Sequence, residues 1–383
     1  MFELENFTFF NAQQFQNIDP LDRIYNVVVA KVSYEFEINA STGQTELKFA
    51  PEQTPLIYED IYYGDTIRTS VKAECDFIIY KPKVDLVVNA TAYAPNDELT
   101  RQFPVSVQIG DYKKSLAITG KRYWIKETVG WTLSDPEPIT NLPIRYEYAF
   151  GGIHAGGLKQ NGYLQENIVG VGSYSADFLR QHSTKKLLDA HQIYDPAKPV
   201  TDPSEIVIPE GLGFYARYFA HRVRHTGTTD KEWAENRAPR LPTDFSMSFW
   251  NGAHPTLQVP HLKHNHVYDL VFTGLVPAHK APHQRFSVSL PVETVFIHIL
   301  TPDRLSISKD MILDTIIVDV ENRKIDCSYR IALAQELEIA HCQLRYIARG
   351  DRGTQIEAAQ KRKASTEPDF IVIPPSLKNA RLS

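Results

Sequence analysis

The stretch from Tyr25 to Ile38 alternates apolar and polar side chains almost without a break. Val28, Ala30, Val32, Tyr34, Phe36 and Ile38 fall on one side, and Lys31, Ser33, Glu35 and Glu37 on the other. A period of two over this length predicts a long strand with one buried face and excludes a helix. The same pattern returns in Val84–Ala92 and Phe103–Ile109, and the runs Tyr112–Thr119 and Lys121–Lys126 follow. Turn-forming residues separate these runs: Asn39–Gln44, Ala94–Asp97, Gly110-Asp111 and Gly120. After the first of them, Glu46–Phe49 reads as a hairpin partner. Closely spaced strands joined by turns predict a mainly β protein built of antiparallel, sandwich-like sheets or an open barrel.

Residues 151–285 read differently: Gly and Pro concentrate there and sustained alternation fades. One helix is expected within Ser175–Ala190. A second is expected to start at Thr229, where Thr-Asp-Lys-Glu places Glu232 three residues after the cap, and to stop before Pro239. Strands resume at Phe286–Leu290, Thr294–Leu300, Ile312–Val320, Lys324–Ala334 and about Leu337–Ile347. This gives an N-terminal β region over 1–150, a loop-rich middle with short helices over 151–285, a C-terminal antiparallel region over 286–350 packed on the first, and a polar tail over 351–383. Within the tail, Phe370–Ile373 is apolar enough to read as a segment that docks, on this chain or on a partner.

Composition narrows the function. Apolar residues make up 43% of the 383 and charged residues 23%, as in an ordinary folded domain. The formal charge of −5, from 41 basic and 46 acidic residues, argues against nucleic acid as the main partner. Cys75, Cys327 and Cys342 form no spaced pair, which reads as reduced thiols and not a disulfide framework. The N-terminus carries Glu3 and Glu5 where a secretory signal carries basic residues. No window approaches ~20 consecutive apolar residues. The expectation is a soluble cytoplasmic protein without a membrane partner.

Candidate chemistry is sparse. Six of the 13 histidines (His254, His261, His264, His266, His279 and His283) lie between 254 and 283. On a strand, His264 and His266 would share a face, and two more rings would complete a zinc site. No carboxylate or Cys stands at a recognised ligand spacing, so loop histidines are the preferred reading and no metal or other cofactor is expected. No G-x-S-x-G is present, and Gly170-Val171-Gly172 lacks the context of a phosphate loop and reads as a turn. Pairs such as Asp244 with Arg237, or Glu147 with Arg145, suit charge-assisted bonds that fix loops. Tyr146, Tyr148 and Phe150 alternate as on one face of a strand leading into Gly151-Gly152. Trp233, Phe245, Phe249 and Trp250 are expected to plug the core beneath the loops, with Trp233 and Arg237 on one helix face and Asp244 returning towards Arg237. Any of these aromatics left exposed would anchor a protein partner.

Ordered blocks run from about Asn26 to Ala332. They comprise VVVAKVSYEF at 27–36, Asp76, Lys81-Pro82 with Asp85, Ala92-Tyr93-Ala94-Pro95, Gly120 with Arg122 and Trp124, and Pro143 to Gly152. Asn167 to Gly172 follows, then Gly227-Thr228, Asp230, Trp233, Arg237 to Pro239, Leu241-Pro242, Asp244-Phe245, Phe249, Asn251, Ala253 and Pro255, and finally Leu313-Asp314-Thr315 and Arg330. In these blocks the chain resembles the bacterial family known as domain of unknown function 2169. It departs from the family pattern at Ile168, at Tyr215 and in the His and Lys residues of 261–266, which bears on partner identity. The resemblance implies a cytoplasmic adaptor or chaperone, encoded beside type VI secretion genes, that loads an effector onto the secreted spike without catalysis. The implied partners are that effector and the spike or spike-tip protein. The residues expected to bind the partner or organise the loops are Arg145, Tyr146, Tyr148, Phe150, Gly151, Gly152, Trp233, Arg237, Asp244, Phe245, Phe249 and Asn251. Rival readings are a metal-dependent enzyme using the 254–283 histidines and a structural component of the spike.

Overall fold

A computed structural model describes residues 2–153, 162–181, 187–347 and 371–372. The strands that organise it are β1 (Asn11–Ile18), β2 (Ile24–Ile38), β3 (Thr45–Phe49), β4 (Val84–Asn89), β5 (Gln102–Ile109), β6 (Tyr112–Thr119), β7 (His266–Thr273), β8 (Arg285–Val292), β9 (Thr294–Leu300), β10 (Ile312–Asp319), β11 (Lys324–Ala334), β12 (His341–Ile347) and β13 (Ile371–Val372). The architecture is mainly β, with mostly antiparallel sheets and a few short helices. The largest sheet runs β4-β10-β11-β2-β1, with Gln258–Val259 outside β4 and β3 continuing the β2 edge beyond β1. Within it only β4–β10 and β11–β13 pair in parallel. A five-stranded antiparallel sheet runs Ile193–Tyr194, β6, β5, β7, β8. A four-stranded sheet holds Leu4–Asn6, β12, β9 and Ser306–Asp310.

One apolar core takes in side chains from all three sheets, among them Val28, Val88, Val107, Leu270, Ile297 and Leu344. Phe286 of β8 stacks on Phe272 of β7 at 4.7 Å and on Phe36 of β2 at 6.0 Å, so aromatic rings bridge the two larger sheets. The hairpin β2–β3 forms as the alternation predicts, with Tyr34 opposite Phe49.

The polar face of β2 is the first departure from expectation. Lys31 and Ser33 are buried, because residues 50–80 fold over that side of the sheet. Gln53 spans the Ser33 backbone, accepting its N–H at 2.8 Å and donating to its carbonyl at 3.0 Å. Lys31 Nζ donates to the Asp76 carboxylate, which also accepts from Ile57 N at 2.7 Å and Ser328 Oγ at 3.2 Å. Arg330 donates to the Asp76 carbonyl at 2.8 Å and pairs with Asp314.

The parallel neighbour strand β4 is buried along its whole length, as a strand covered on both faces should be. Its Asp85 carboxylate is fully buried and accepts from Lys81 Nζ at 2.7 Å, Gly252 N at 2.9 Å, Asn251 Nδ2 at 3.1 Å and Ala253 N at 3.3 Å. Removing one partner of such a pair leaves an uncompensated buried charge, at a cost of about 3–5 kcal/mol. Asp85→Ala is therefore expected to destabilise the protein by that amount in urea denaturation. Lys81→Met added to it should recover only the ammonium's share, since Asn251 and the two backbone N–H groups still lack their acceptor.

Candidate partner-binding site

The segment Arg145–Gly152 does not form a strand. Tyr146–Tyr148 is one turn of 3-10 helix, and only Phe150–Gly151 is extended, pairing in parallel with Val171–Gly172. Tyr146, Tyr148 and Phe150 consequently do not share a strand face. Tyr146 is buried against Tyr215 and Phe219, and its hydroxyl donates to Gly213 O at 3.1 Å. Burial raises that phenol well above its ordinary pKa. The expected Arg145–Glu147 pairing is replaced: Arg145 lies 3.7 Å over the Tyr63 ring, and Glu147 accepts from Ser70 Oγ.

Asn167 is the organiser of this turn. It is fully buried, donates through Nδ2 to Tyr146 O at 2.9 Å and Phe150 O at 3.1 Å, and accepts from Gly152 N on its own carbonyl at 2.8 Å. Gly151 has a positive φ of 155°, and a Cβ there would sit 2.2 Å from Asn167 O, so no other residue fits. Gly170-Val171-Gly172 is thus half of a short parallel ladder. Trp124 Nε1 donates to Gly172 O at 2.8 Å, and Arg122 Nε to His191 O at 2.7 Å.

The helix expected within Ser175–Ala190 is present among the described residues. The helix α1 covers Ala176–Gln181, whereas Leu187–Asp189 is a strand paired with Tyr123–Ile125. Leu188 packs there in the small core around Trp124 and Phe150, and this tertiary contact outweighs local helix preference.

The next helix, α2 (Ala220–Val223), precedes the loop Gly227–Asn251, and α3 (Lys231–Asn236) lies within it. The cap of α3 is Asp230, not Thr229: its carboxylate accepts from Trp233 N at 2.9 Å. Asp caps as well as Thr does, which shifts Glu232 out of the box position. Asp244 does not reach Arg237. It accepts from Thr228 N at 2.8 Å and Thr228 Oγ1 at 2.7 Å, and these bonds hold it below the usual carboxylate range. Gly227, with φ of 74°, admits that contact, because a Cβ would lie 2.5 Å from Asp244 Oδ1. Arg237 instead crosses to the turn between β1 and β2, donating to Asp22 at 2.9 Å and Pro20 O at 2.6 Å.

Trp233 is half-buried and not a core residue; no residue of α3 is buried. Its indole N–H donates to Arg240 O at 2.9 Å. Phe245 and Phe249 are buried beneath the loop with Trp250 alongside, as expected. Asn251 closes the loop onto Asp85. Arg222 of α2, which no motif singles out, is fully buried, pairs with Glu74, donates to Phe249 O at 2.9 Å and stacks over Phe249. Its sequence context, Ala220-His221-Arg222-Val223-Arg224-His225, reads as a basic surface stretch and gives no sign of a buried ion pair.

The histidines of 254–283 scatter. Among the described residues no group of three or more His, Cys, Asp or Glu is arranged to hold a metal. His264 and His266 do not alternate on one strand, because β7 begins at His266 and Asn265 turns the chain with φ of 55°. His254 is buried; burial lowers its pKa against the pull of Glu210, which lies 3.3 Å away beside Lys114. Burial raises all three cysteine thiols, Cys342 to about 12.

These features define a β scaffold that holds two irregular, internally bonded loops against its sheets. The family described as an uncharacterized protein conserved in bacteria (DUF2169) matches residues 22–330, and the chain belongs to it. No curated protein and no solved structure matches the chain.

His191 offers a test of the packing around Arg122. It is fully buried, neither ring nitrogen has a hydrogen-bond partner among the described residues, and burial, with the Arg122 charge, drives its pKa well below the ordinary value. Below about pH 6.5 the unfolded histidine takes up a proton that the folded one refuses. Stability is therefore unaffected at higher pH and falls as pH drops, by at most ~1.4 kcal/mol per unit for this group. In His191→Phe, urea midpoints measured between about pH 7 and pH 5 should fall less steeply than in the wild type.

Proposed function

We propose that this protein is a non-catalytic adaptor or chaperone that binds a type VI secretion effector in the bacterial cytoplasm and passes it to the spike complex. The observation that carries the reading is the construction of α3. Its short helix has no buried residue, yet it is fixed at both ends, by Asp230 and the Thr228–Asp244 bonds and by Arg237 on Asp22. A fixed loop presenting a half-exposed Trp beside Arg237 and Arg240 suits protein recognition, since Trp and Arg dominate interface energetics and a fixed loop loses little entropy on binding. Leu21, 60% exposed, lies in the β1–β2 turn that Arg237 grips. The resemblance to the adaptor family supplies the class of partner.

Trp233→Ala is expected to remove one hydrogen bond and the packing of a half-buried ring, lowering stability by ~1–2 kcal/mol. The variant should melt close to wild type but fail to pull down the effector encoded beside its gene. A large loss of melting temperature would return Trp233 to the core and sink this surface. Deleting the gene should abolish delivery of that one effector and leave general secretion intact; normal delivery would refute the adaptor role. Recovery of the protein in culture supernatant with the spike would favour a structural component instead, and stoichiometric zinc lost in His264→Ala/His266→Ala would favour the metalloenzyme.

A further inference from the structure

The strand β11 outruns its neighbour. Its eleven residues pair along one edge with β2 as far as Ala334 opposite Tyr25, but β10 covers the other edge only from Lys324 to Arg330. Beyond Arg330 that second edge is taken by β13, with Ala332 opposite Ile371 and Leu333 opposite Val372, in parallel. The filling strand thus comes from beyond residues 348–370 and from outside the family-matched span of 22–330. Leu333 faces the main core, while Ala332 and Ala334 face a smaller cluster with Tyr25, Val27 and Ile79. Apolar surface on both sides calls for an added strand that is apolar at successive positions. The sequence Phe370-Ile371-Val372-Ile373 has that character.

Among the described residues β13 adds two ladder positions, a small gain against the entropy of closing so long a connection, so another extended segment can compete for the edge. Met247 of the Gly227–Asn251 loop packs on the same small cluster, and Tyr25 donates to Asp19 in the β1–β2 turn at 3.3 Å. The edge therefore opens next to the loop and turn that carry Trp233 and Leu21. Extended partners commonly bind by adding a strand to such an edge, with main-chain hydrogen bonds giving affinity and side-chain sites giving specificity.

We infer that the Ala332–Ala334 edge of β11 is a strand-acceptor site. It takes an extended segment with consecutive β-branched residues from a protein partner, in place of this chain's Ile371–Val372. That the partner is a secretion effector rests on the adaptor reading; the acceptor edge does not.

The test uses full-length protein and a fluorescein-labelled peptide with the sequence of residues 367–375, followed by fluorescence anisotropy. In Ile371→Pro/Val372→Pro the tail loses its ladder N–H groups and the edge opens. If the tail fills the edge nine-tenths of the time, this variant binds the peptide about tenfold more tightly than wild type. Amides of 331–335 should exchange faster in the variant and regain protection with peptide, and Ile371→Asp/Val372→Asp should behave the same way. Equal affinity for wild type and variant, or no binding to a variant that melts like wild type, overturns the acceptor edge. Peptide binding that leaves effector capture unchanged overturns the effector as its occupant, whereas loss of peptide binding with effector capture intact overturns the edge and spares the adaptor reading.

Discussion

The carboxylate of Asp85 carries more of this structure than any apolar contact. It sits at the start of a strand covered on both faces, where an unpaired charge is not tolerated. Four donors converge on it: the Lys81 ammonium, the Asn251 amide, and the backbone N–H groups of Gly252 and Ala253. Satisfying one buried charge thus fixes a residue four positions upstream and a turn more than 160 positions downstream. Asp76 does the same further along the same face of the sheet, joining Lys31 of β2, Ser328 and Arg330 of β11 and the loop residue Ile57. Such pairs add little net stability over an apolar core, but breaking them is costly. Here they select which loops lie on that face.

That role explains what the sequence revealed and what it hid. Periodicity located the hairpin of β2 and β3 and the strands β4 to β6 and β8 to β12, because each has at least one apolar face, but it missed β1 and also β7, which falls in the stretch read as loop-rich. It misread Lys31 and Ser33 as solvent-facing, since alternation reports that one face is polar, not that it is wet. No local pattern announces that residues 50–80 will cover that face. Local chemistry also found the short helix α3 but placed its cap one residue early, because Thr229 and Asp230 are both good caps and only the Asp230–Trp233 bond distinguishes them. Long-range partners were beyond reach. Arg237 was paired on paper with Asp244, the nearest acid beyond the two prolines, whereas its partner is Asp22 at a separation of 215 residues.

The blocks that mark the family are largely interior. Asp76, Lys81, Asp85, Arg122, Trp124, Asn167, Asn251, Asp314 and Arg330 are all buried, and most of them bond backbone or one another. A motif of this kind specifies a fold and the path of its loops. It does not specify what the loops touch, so a strong resemblance coexists with an open partner identity. Of the twelve residues named as candidates for partner binding or loop organisation, Tyr146, Phe150, Gly151, Gly152, Phe245, Phe249 and Asn251 are buried and belong to the organising set. Arg145, Tyr148, Trp233, Arg237 and Asp244 retain exposed surface.

Among those five, only α3 combines exposure with a reason to be rigid. Arg145 is already engaged by Tyr63, and Asp244 by Thr228. Trp233 is tied by one indole hydrogen bond to Arg240, within its own loop, so its ring is positioned without being enclosed. The loop itself is anchored to the β1–β2 turn and, through Met247, to the cluster under the end of β11. On the adaptor reading, a partner that grips Trp233 and Leu21 arrives beside a sheet edge that the chain closes with β13. In that proposal the two contacts reinforce each other: an anchored partner raises the effective concentration of its own extended segment at the edge, against the two ladder positions described for β13. Recognition by side chains on α3 and pairing by backbone on β11 then become two halves of one docking event.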